Sequence, residues 1–326
     1  MNSAASQAKP DSGPREGPES PQAMTDEELV RRISLGGPVD SAITDEYYRR
    51  VIPFFRRMLG THWHTGCYTN LTTAPGPIDQ TRMIDLIADS IGLSAGESVL
   101  DVGCGIGGTV LWLAQTRAVQ ATGLTPVSEQ IRIATEMIGA QGLDHAARVV
   151  QGHADRLPFP DASFDAVVFF ESPCHFPDRS AFFREAFRVL RRGGRLAGED
   201  WLCRSGLDEA SWQRLIAPIH RTWSIAALGS GESYVEEITA AGFECEGWID
   251  LRSESQLARG FMVERHQQIQ LVREMSACKN PLEQLLLEGV LRLGQALAEE
   301  AFTIGRLSAR KPVELTGAVS PGGTQV

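Results

Sequence analysis

The chain has six cysteines (Cys67, Cys104, Cys174, Cys203, Cys245 and Cys278) and no CxxC pair among them. That pattern is neither a disulfide framework nor a zinc spacing, and it points to a reducing, cytoplasmic compartment. No apolar run approaches the roughly 18 residues that a membrane helix requires, so no span is expected. The first 20 residues are polar and proline-rich without an apolar core, which argues against a secretory leader. Positive charge is not in excess: 31 Lys and Arg stand against 41 Asp and Glu, for a net charge of −10. A general nucleic-acid binder would carry a basic footprint instead. There is no internal repeat. What remains is an ordinary globular chain of 326 residues, 42% hydrophobic and 22% charged, long enough for one large domain or two modest ones.

Residues 1–23 hold Pro10, Pro14, Pro18 and Pro21 among Ser, Gly, Glu and Gln, and residues 313–326 form a similar tail. Such segments bury too little apolar area to offset their ordering entropy and read as disordered. Residues 24–77 read as a helical cap over the substrate, with helices at 24–35 and 43–59 and a kink or boundary at Pro53. From 78 to 200, strand and helix signals alternate, which predicts a parallel sheet with helices on its faces. Strands are expected at 98–102, 121–124, 147–150 and 164–170. Gly193-Gly194 is expected to turn the chain into a further strand at 195–199. Residues 201–312 continue the sheet around a helical insertion: one helix at 207–227, another at 234–241, long helices at 253–277 and 281–299. A last, antiparallel strand is expected at 301–309. The terminal helices would form a lid or a contact surface of a homo-oligomer.

The sharpest local feature is Asp101-Val102-Gly103-Cys104-Gly105-Ile106-Gly107-Gly108, where a buried strand runs into a glycine turn and a helix. Such a turn lets backbone approach a ligand closely, and the helix start offers free N–H groups. Gly103, Gly105 and Gly108 satisfy the dinucleotide fingerprint GxGxxG, and by itself that match is weak. Asp101, Gly103, Gly105 and Gly107 equally satisfy DxGxGxG, in which a carboxylate at the strand end suits a cationic, amino-acid-bearing ligand.

Further along come Gly123-Leu124-Thr125, then Gly152-His153-Ala154-Asp155-Arg156-Leu157-Pro158-Phe159, Ser163-Phe164-Asp165 and Val189-Leu190-Arg191-Arg192-Gly193-Gly194. With these the chain resembles the class I S-adenosylmethionine-dependent methyltransferases over residues 78–200. The resemblance implies an α/β, Rossmann-like fold with a seven-stranded, mostly parallel sheet. It places S-adenosylmethionine against Asp101, Gly103, Cys104, Gly105, Gly107, Leu124, Thr125, Gln130, Ala154, Asp155 and Arg156, with Asp155 at the adenine amino group. Thr125 stands where an acid commonly holds the ribose. Gly123-Leu124-Thr125 resembles the sterol, tocopherol and cyclopropane-fatty-acid C-methyltransferases, which also have a polar neutral residue there, and the resemblance implies a ribose hydrogen bond from Thr125.

The stretch Glu171-Ser172-Pro173-Cys174-His175-Phe176-Pro177-Asp178 resembles the Glu-x-x-x-His-x-x-Asp of the sterol and tocopherol enzymes. It is also similar to bacterial enzymes that methylate geranyl diphosphate at carbon. Methylating an alkene leaves a carbocation that must lose a proton, and Glu171 is the expected base. Aromatic faces stabilise positive charge; Tyr48, Trp63, Phe170, Trp201 and Trp223 are the candidates to line the acceptor. His62-Trp63-His64-Thr65-Gly66-Cys67-Tyr68 resembles a stretch that closes over cofactor and acceptor, with Tyr68, His64 and His175 as orienting groups. A metal at His62 and His64 lacks a nearby third ligand in sequence. A prenyl diphosphate would call for arginine, such as Arg56, and for Mg²⁺ bridging its oxygens, a site almost invisible in sequence. A sterol-like or prenylated aromatic acceptor needs neither. O- or N-methylation of a polar natural product is the alternative reaction, with His175 or His64 as base.

Overall fold

The computed structural model describes residues 24–35, 41–67, 77–252 and 265–313. Tyr68 and the two terminal segments lie outside them, Val313 apart, as does the first part of the helix expected at 253–277. Seven strands form one sheet in the order β3-β2-β1-β4-β5-β7-β6. They are β1 (Ser98–Val102), β2 (Gln120–Thr125), β3 (Ala147–Gln151), β4 (Phe164–Phe170), β5 (Leu190–Cys203), β6 (Glu244–Asp250) and β7 (Phe302–Arg310). The first five are parallel, and β7 runs antiparallel between β5 and β6. The order reverses between β1 and β4, and a crevice opens beyond the carboxyl ends of strands at such a switch point.

The chemistry of the strands explains this sheet. β1 and β4 are buried along nearly their whole length, and Val99, Leu100, Val167, Val168 and Phe169 are each at most 1% exposed. Such continuous apolar strands need cover on both faces. Helices α3 (Pro77–Ser90), α4 (Gly108–Arg117) and α5 (Ser128–Ala140), and on the other side α6 (Arg179–Val189), supply it. Met83, Ile84, Ile87, Val110 and Leu113 join one apolar cluster; Phe182, Phe183, Ala186 and Val189 join the other.

Several boundaries differ from the sequence reading, each for a local reason. α2 (Ser41–Leu59) runs through Pro53 without ending, because Val51, Ile52, Phe54 and Phe55 are buried around it. Gly193-Gly194 does not precede a separate strand. It lies in β5, in an irregularity between the Phe164 and Ala166 pairings, where Gly193 N–H donates to Lys311 and Gly194 C=O accepts from Lys311. The helix expected at 207–227 is a composite: α7 (Glu209–Ser211), a π turn (Trp212–Ile216) and α8 (Ala217–Trp223), with Pro218 at the start of the last piece. α9 (Gly231–Ala240) precedes β6; α10 (Arg265–Ala277) and α11 (Pro281–Ala298) precede β7.

Helices from the two ends of the chain meet. Leu29 and Ile33 of α1 (Asp26–Ser34), Tyr47, Val51, Phe54 and Phe55 of α2, and Leu282, Leu286 and Val290 of α11 form one cluster. This cluster roofs the crevice above β1 and β4. Among the described residues, no helix is long and apolar enough to cross a membrane.

Candidate active site

Under this roof lies a cavity of about 930 Å³. One end is built by the carboxyl ends of three strands: Asp101 to Ile106 after β1, Leu124 and Thr125 of β2, and Gly152 to Arg156 after β3. The other is built by Phe170 to Asp178 after β4, Trp201 of β5, and aromatic side chains of the helical roof. The segment 61–65 lies across both.

At the first end, Asp101 is 3% exposed, and burial pushes its carboxyl up to about 7. Gly103 has φ +85, and a Cβ there would stand 2.4 Å from Cβ of Ser172. Only glycine permits both that backbone and that contact, so the turn packs directly on the loop after β4. The N–H groups of Gly103 and Cys104 donate to the Leu124 carbonyl over 2.9 and 3.0 Å, tying the turn to β2. Gly107 faces Ala134 and Val149 and does not line the cavity. The Thr125 hydroxyl donates to Oε1 of Gln130 at 2.5 Å and accepts from the N–H of Val127 at 3.3 Å. Its proton is therefore spent inside the protein, and the donor left at this point is the amide of Gln130. Asp155 and Arg156 are exposed at the rim, beside the buried Ala154.

At the second end, Glu171 has φ +47, an uncommon conformation for a residue with a side chain. Its N–H donates to the Glu199 carbonyl at 2.9 Å, and its Oε1 accepts from the N–H of Thr65 at 2.8 Å. The apolar surroundings push its carboxyl up to about 7, against the pull of Thr65 and Trp201; the Asp200 charge adds to the rise. Phe170 precedes it in the chain, and Trp201 of β5 reaches its carboxylate. Trp201 meets Trp223 edge-on at 5.3 Å; Phe55 meets Trp63 at 5.3 Å and Trp223 at 6.1 Å. The result is a box of aromatic rings at the same end of the cavity as the carboxylate, with Trp201 in contact with it. Tyr48 bonds to Nε2 of His175 at 2.7 Å, and His175 Nδ1 lies 3.2 Å from the Ser224 carbonyl.

The strap at 61–67 is held by α3. Gln80 donates to the carbonyls of His62 and His64, and the N–H of Cys67 donates to that of Asp79 at 2.7 Å. Burial holds His62 near 4, His64 near 3 and His175 near 4, so all three rings are neutral at neutral pH.

Sequence reasoning missed two acids. Glu199 is fully buried on β5, with Nδ1 of His64 at 3.9 Å and neither carboxylate oxygen hydrogen-bonded among the described residues. Desolvation and the charges of Glu171 and Asp200 push it well above the carboxylate range. Asp200, also fully buried, accepts from the N–H groups of Cys174 and Trp201 and from the hydroxyl of Tyr234, and so fixes the 3-10 turn Pro173–His175. Two acids inside an otherwise apolar strand are the signal that could have found them. One expected residue falls away. Arg56 is exposed on α2 and does not line the cavity, since the buried stripe of that helix passes through Tyr47, Val51, Phe54 and Phe55. Among the described lining residues Arg156 is the one arginine, and there is no lysine. No cluster of three or more metal-ligating side chains occurs among the described residues.

Comparisons with known proteins fit this geometry. Residues 100–198 match a family described as "Methyltransferase domain". The chain is 35% identical over 238 residues to 27-O-demethylrifamycin SV methyltransferase of Amycolatopsis mediterranei, covering 71% of this chain and 84% of that one. The chain belongs to the class I S-adenosylmethionine-dependent methyltransferases. It is 34% identical over 171 residues to methyltransferase GfsG of Streptomyces halstedii and 32% identical over 171 residues to cycloartenol-C-24-methyltransferase of Arabidopsis thaliana. These matches cover 51% and 52% of this chain but only 60% and 51% of the relatives, so the chain spans little more than half their length. In structure it is similar to the 4+2 cyclase SpnF, with TM-score 0.72, 26% identity, and coverage of 86% of this chain and 98% of that one. It also resembles geranyl diphosphate C-methyltransferase from Streptomyces coelicolor A3(2), with TM-score 0.63, 16% identity, and coverage of 91% and 100%. The sheet of this methyltransferase-family chain is the predicted seven-stranded, mostly parallel one. A cyclase among the similar folds means that the acceptor chemistry has to be argued from the site.

The first end of the cavity fits S-adenosylmethionine. Asp101, whose carboxyl is raised by burial, could take a protonated amino group, which would favour its ionised form. Gln130, the Leu124-Thr125 backbone and Ala154 to Arg156 line the same end and could take the ribose and adenine.

Proposed function

We propose that the protein is an S-adenosylmethionine-dependent C-methyltransferase acting on an unsaturated carbon of a small isoprenoid-type acceptor. The observation that carries this reading is Glu171: a carboxylate at the apolar end of the cavity, beside an aromatic box, with its acidity weakened to about 7. A base with that acidity is matched to proton transfer near neutral pH. Its left-handed backbone costs on the order of 1–3 kcal/mol, and such outliers cluster at functional sites. When bound, S-adenosylmethionine supplies an electrophilic methyl group on its sulfonium.

The chain's own residues do the rest. Asp101, Gln130 and Asp155 would hold the donor at the glycine-turn end of the cavity. The roof and the 61–65 strap exclude water, which would otherwise capture a carbocation. The faces of Trp63, Trp201, Trp223 and Phe55 stabilise the positive charge left on the acceptor. Glu171, ionised, takes the proton from the carbon next to the cation, and the C–H electron pair becomes the new double bond.

The sparse positive charge among the described lining residues favours an uncharged isoprenoid or prenylated acceptor over geranyl diphosphate; a Mg²⁺ requirement would belong with the diphosphate. O-methylation with a histidine base is less supported. His175 has its bare nitrogen taken by Tyr48, and His64 is held near 3. The test is incubation with S-adenosylmethionine and a panel of prenyl alcohols, prenyl diphosphates with Mg²⁺, sterols and prenylated phenols, read by product mass and NMR. A new carbon-bound methyl, absent with Glu171→Gln, supports the reading. Methylation only at oxygen or nitrogen, indifferent to Glu171, sinks it, as does cyclisation without methyl transfer.

A further inference from the structure

Tyr48 and His175 form a hydrogen-bond chain whose direction can be read from its far end. Ser224, just past α8 with φ +53, turns its carbonyl toward Nδ1 of His175 at 3.2 Å. A carbonyl has no proton to give, so Nδ1 carries the hydrogen and donates it. The other nitrogen of a neutral imidazole is then bare, and Nε2 accepts from the Tyr48 hydroxyl at 2.7 Å. The same hydroxyl lies 3.4 Å from Nδ1, whose hydrogen already points to Ser224. An imidazolium could donate from both nitrogens and reverse the chain, but burial holds the ring near 4 and keeps it neutral. Burial likewise keeps Tyr48 a phenol, its ionisation pushed well above the usual range.

Tyr48 has a single proton, and His175 takes it. On this lining residue the phenol oxygen has only a lone pair left to offer a ligand. The nearby carboxylate of Glu171 is also an acceptor, already taking the N–H of Thr65 on one oxygen. This half of the cavity therefore offers acceptance and asks for a donor.

We infer that the acceptor molecule carries a hydroxyl, alcoholic or phenolic, which donates its hydrogen to the Tyr48 oxygen and so anchors the isoprenoid with its alkene toward Glu171. The inference rests on the C-methyltransferase reading and names the substrate class within it. The bond is an anchor, and no proton leaves the hydroxyl: Tyr48 is not a base here, and His175 is a poor acceptor for a second step. A fully ionised diphosphate at this place would set lone pairs against a lone pair, which agrees with the scarcity of cations among the described lining residues.

The test compares geraniol and farnesol with their methyl ethers, which keep the skeleton and lose the donor. Affinities are measured by calorimetry with S-adenosylhomocysteine bound, so that no turnover is needed. The wild-type protein should bind at least one alcohol about fivefold or more tightly than its ether, the worth of one neutral hydrogen bond. In Tyr48→Phe that preference should collapse, while binding of S-adenosylhomocysteine shows that the variant is folded. Equal binding of alcohol and ether by the wild type, a preference that survives in Tyr48→Phe, or no binding of either alcohol overturns the inference. Turnover with S-adenosylmethionine then tests the underlying reading separately. A binding preference without carbon methylation leaves the anchor and removes the reading, and carbon methylation without a preference does the reverse. A methyl ether as product overturns both, because the hydroxyl would be the reacting atom.

Discussion

The N–H of Thr65 donates to Oε1 of Glu171 over 2.8 Å, joining the strap ahead of the first strand to the loop after the fourth. One oxygen of the carboxylate is thereby fixed. The same bond favours the ionised form and opposes the burial that favours the neutral one. The strap thus both closes the cavity and keeps its base usable.

Replacing Glu171 by Gln keeps the shape and the Thr65 contact but removes the base. Turnover should fall by about 100- to 10,000-fold, the usual contribution of a positioned base. Binding of S-adenosylhomocysteine should be unaffected, because the contacts proposed for it lie at the ends of β1, β2 and β3. Single-turnover product analysis beside calorimetry separates the two. A variant that retains most of its turnover would remove Glu171 from the chemistry.

Activity should rise with pH through about 7, since Glu171 must be ionised to accept a proton. Stability should move the other way. Glu171 and Asp101 each have a folded-state value near 7, raised from ordinary values of 4.5 and 3.8. Between those limits the folded protein binds more protons than the unfolded chain, so their contribution is full below the unfolded values and lost as pH rises through 7. Below about pH 6.5 the buried His62, His64 and His175 act in the opposite sense, because the unfolded chain then binds protons that the folded one does not. The drop in ligand-free melting temperature should therefore be read between about pH 6.5 and pH 8. S-adenosylhomocysteine, whose amino group would face Asp101, should offset part of the drop. Scanning calorimetry at several pH values checks both signs, and a flat profile would contradict them.

The core from β1 to β5 was legible because its signals are local: an apolar strand, a glycine turn, a helix, repeated. Phe164–Phe170 and Gly108–Arg117 fall where the pattern places them. The partners within the site were not legible, because they join distant residues. Tyr48 and His175 are 127 positions apart, and neither residue type reveals which donates. Arg56 was misread since charge alone does not show which face of a helix turns inward. Glu199 was passed over because an acid in a strand ordinarily marks an exposed face, whereas here β4 and β7 flank it on both sides. Thr125 was recognised, but its proton goes to a side chain one helical turn away, which shifts the expected ribose contact to Gln130.

That shift is measurable. Gln130→Ala should weaken S-adenosylhomocysteine binding by about fivefold to tenfold, the worth of one or two hydrogen bonds. Thr125→Val should cost less, because the valine still leaves the Gln130 amide near its place. Isothermal titration of both variants gives the order. If Thr125→Val proves the more damaging, the ribose contact belongs to the threonine.

Gly289 sets the depth of the acceptor end. A Cβ on this residue of α11 would stand 2.3 Å from Nε1 and 2.8 Å from Cε2 of Trp223. An indole is rigid and α11 is packed against α1 and α2, so the ring must yield toward the cavity it lines, where Trp201 and Phe55 already flank it. Gly289→Ala should thus shrink the aromatic box and leave the cofactor end untouched. In a series of prenylated acceptors of increasing length, the longest should lose most, about tenfold or more in kcat/KM, since overpacking a filled cavity typically costs 1–3 kcal/mol. Affinity for S-adenosylhomocysteine should stay level. Equal losses across the series would mean that Trp223 only supports the roof, and unchanged selectivity with full activity would place the acceptor elsewhere in the cavity.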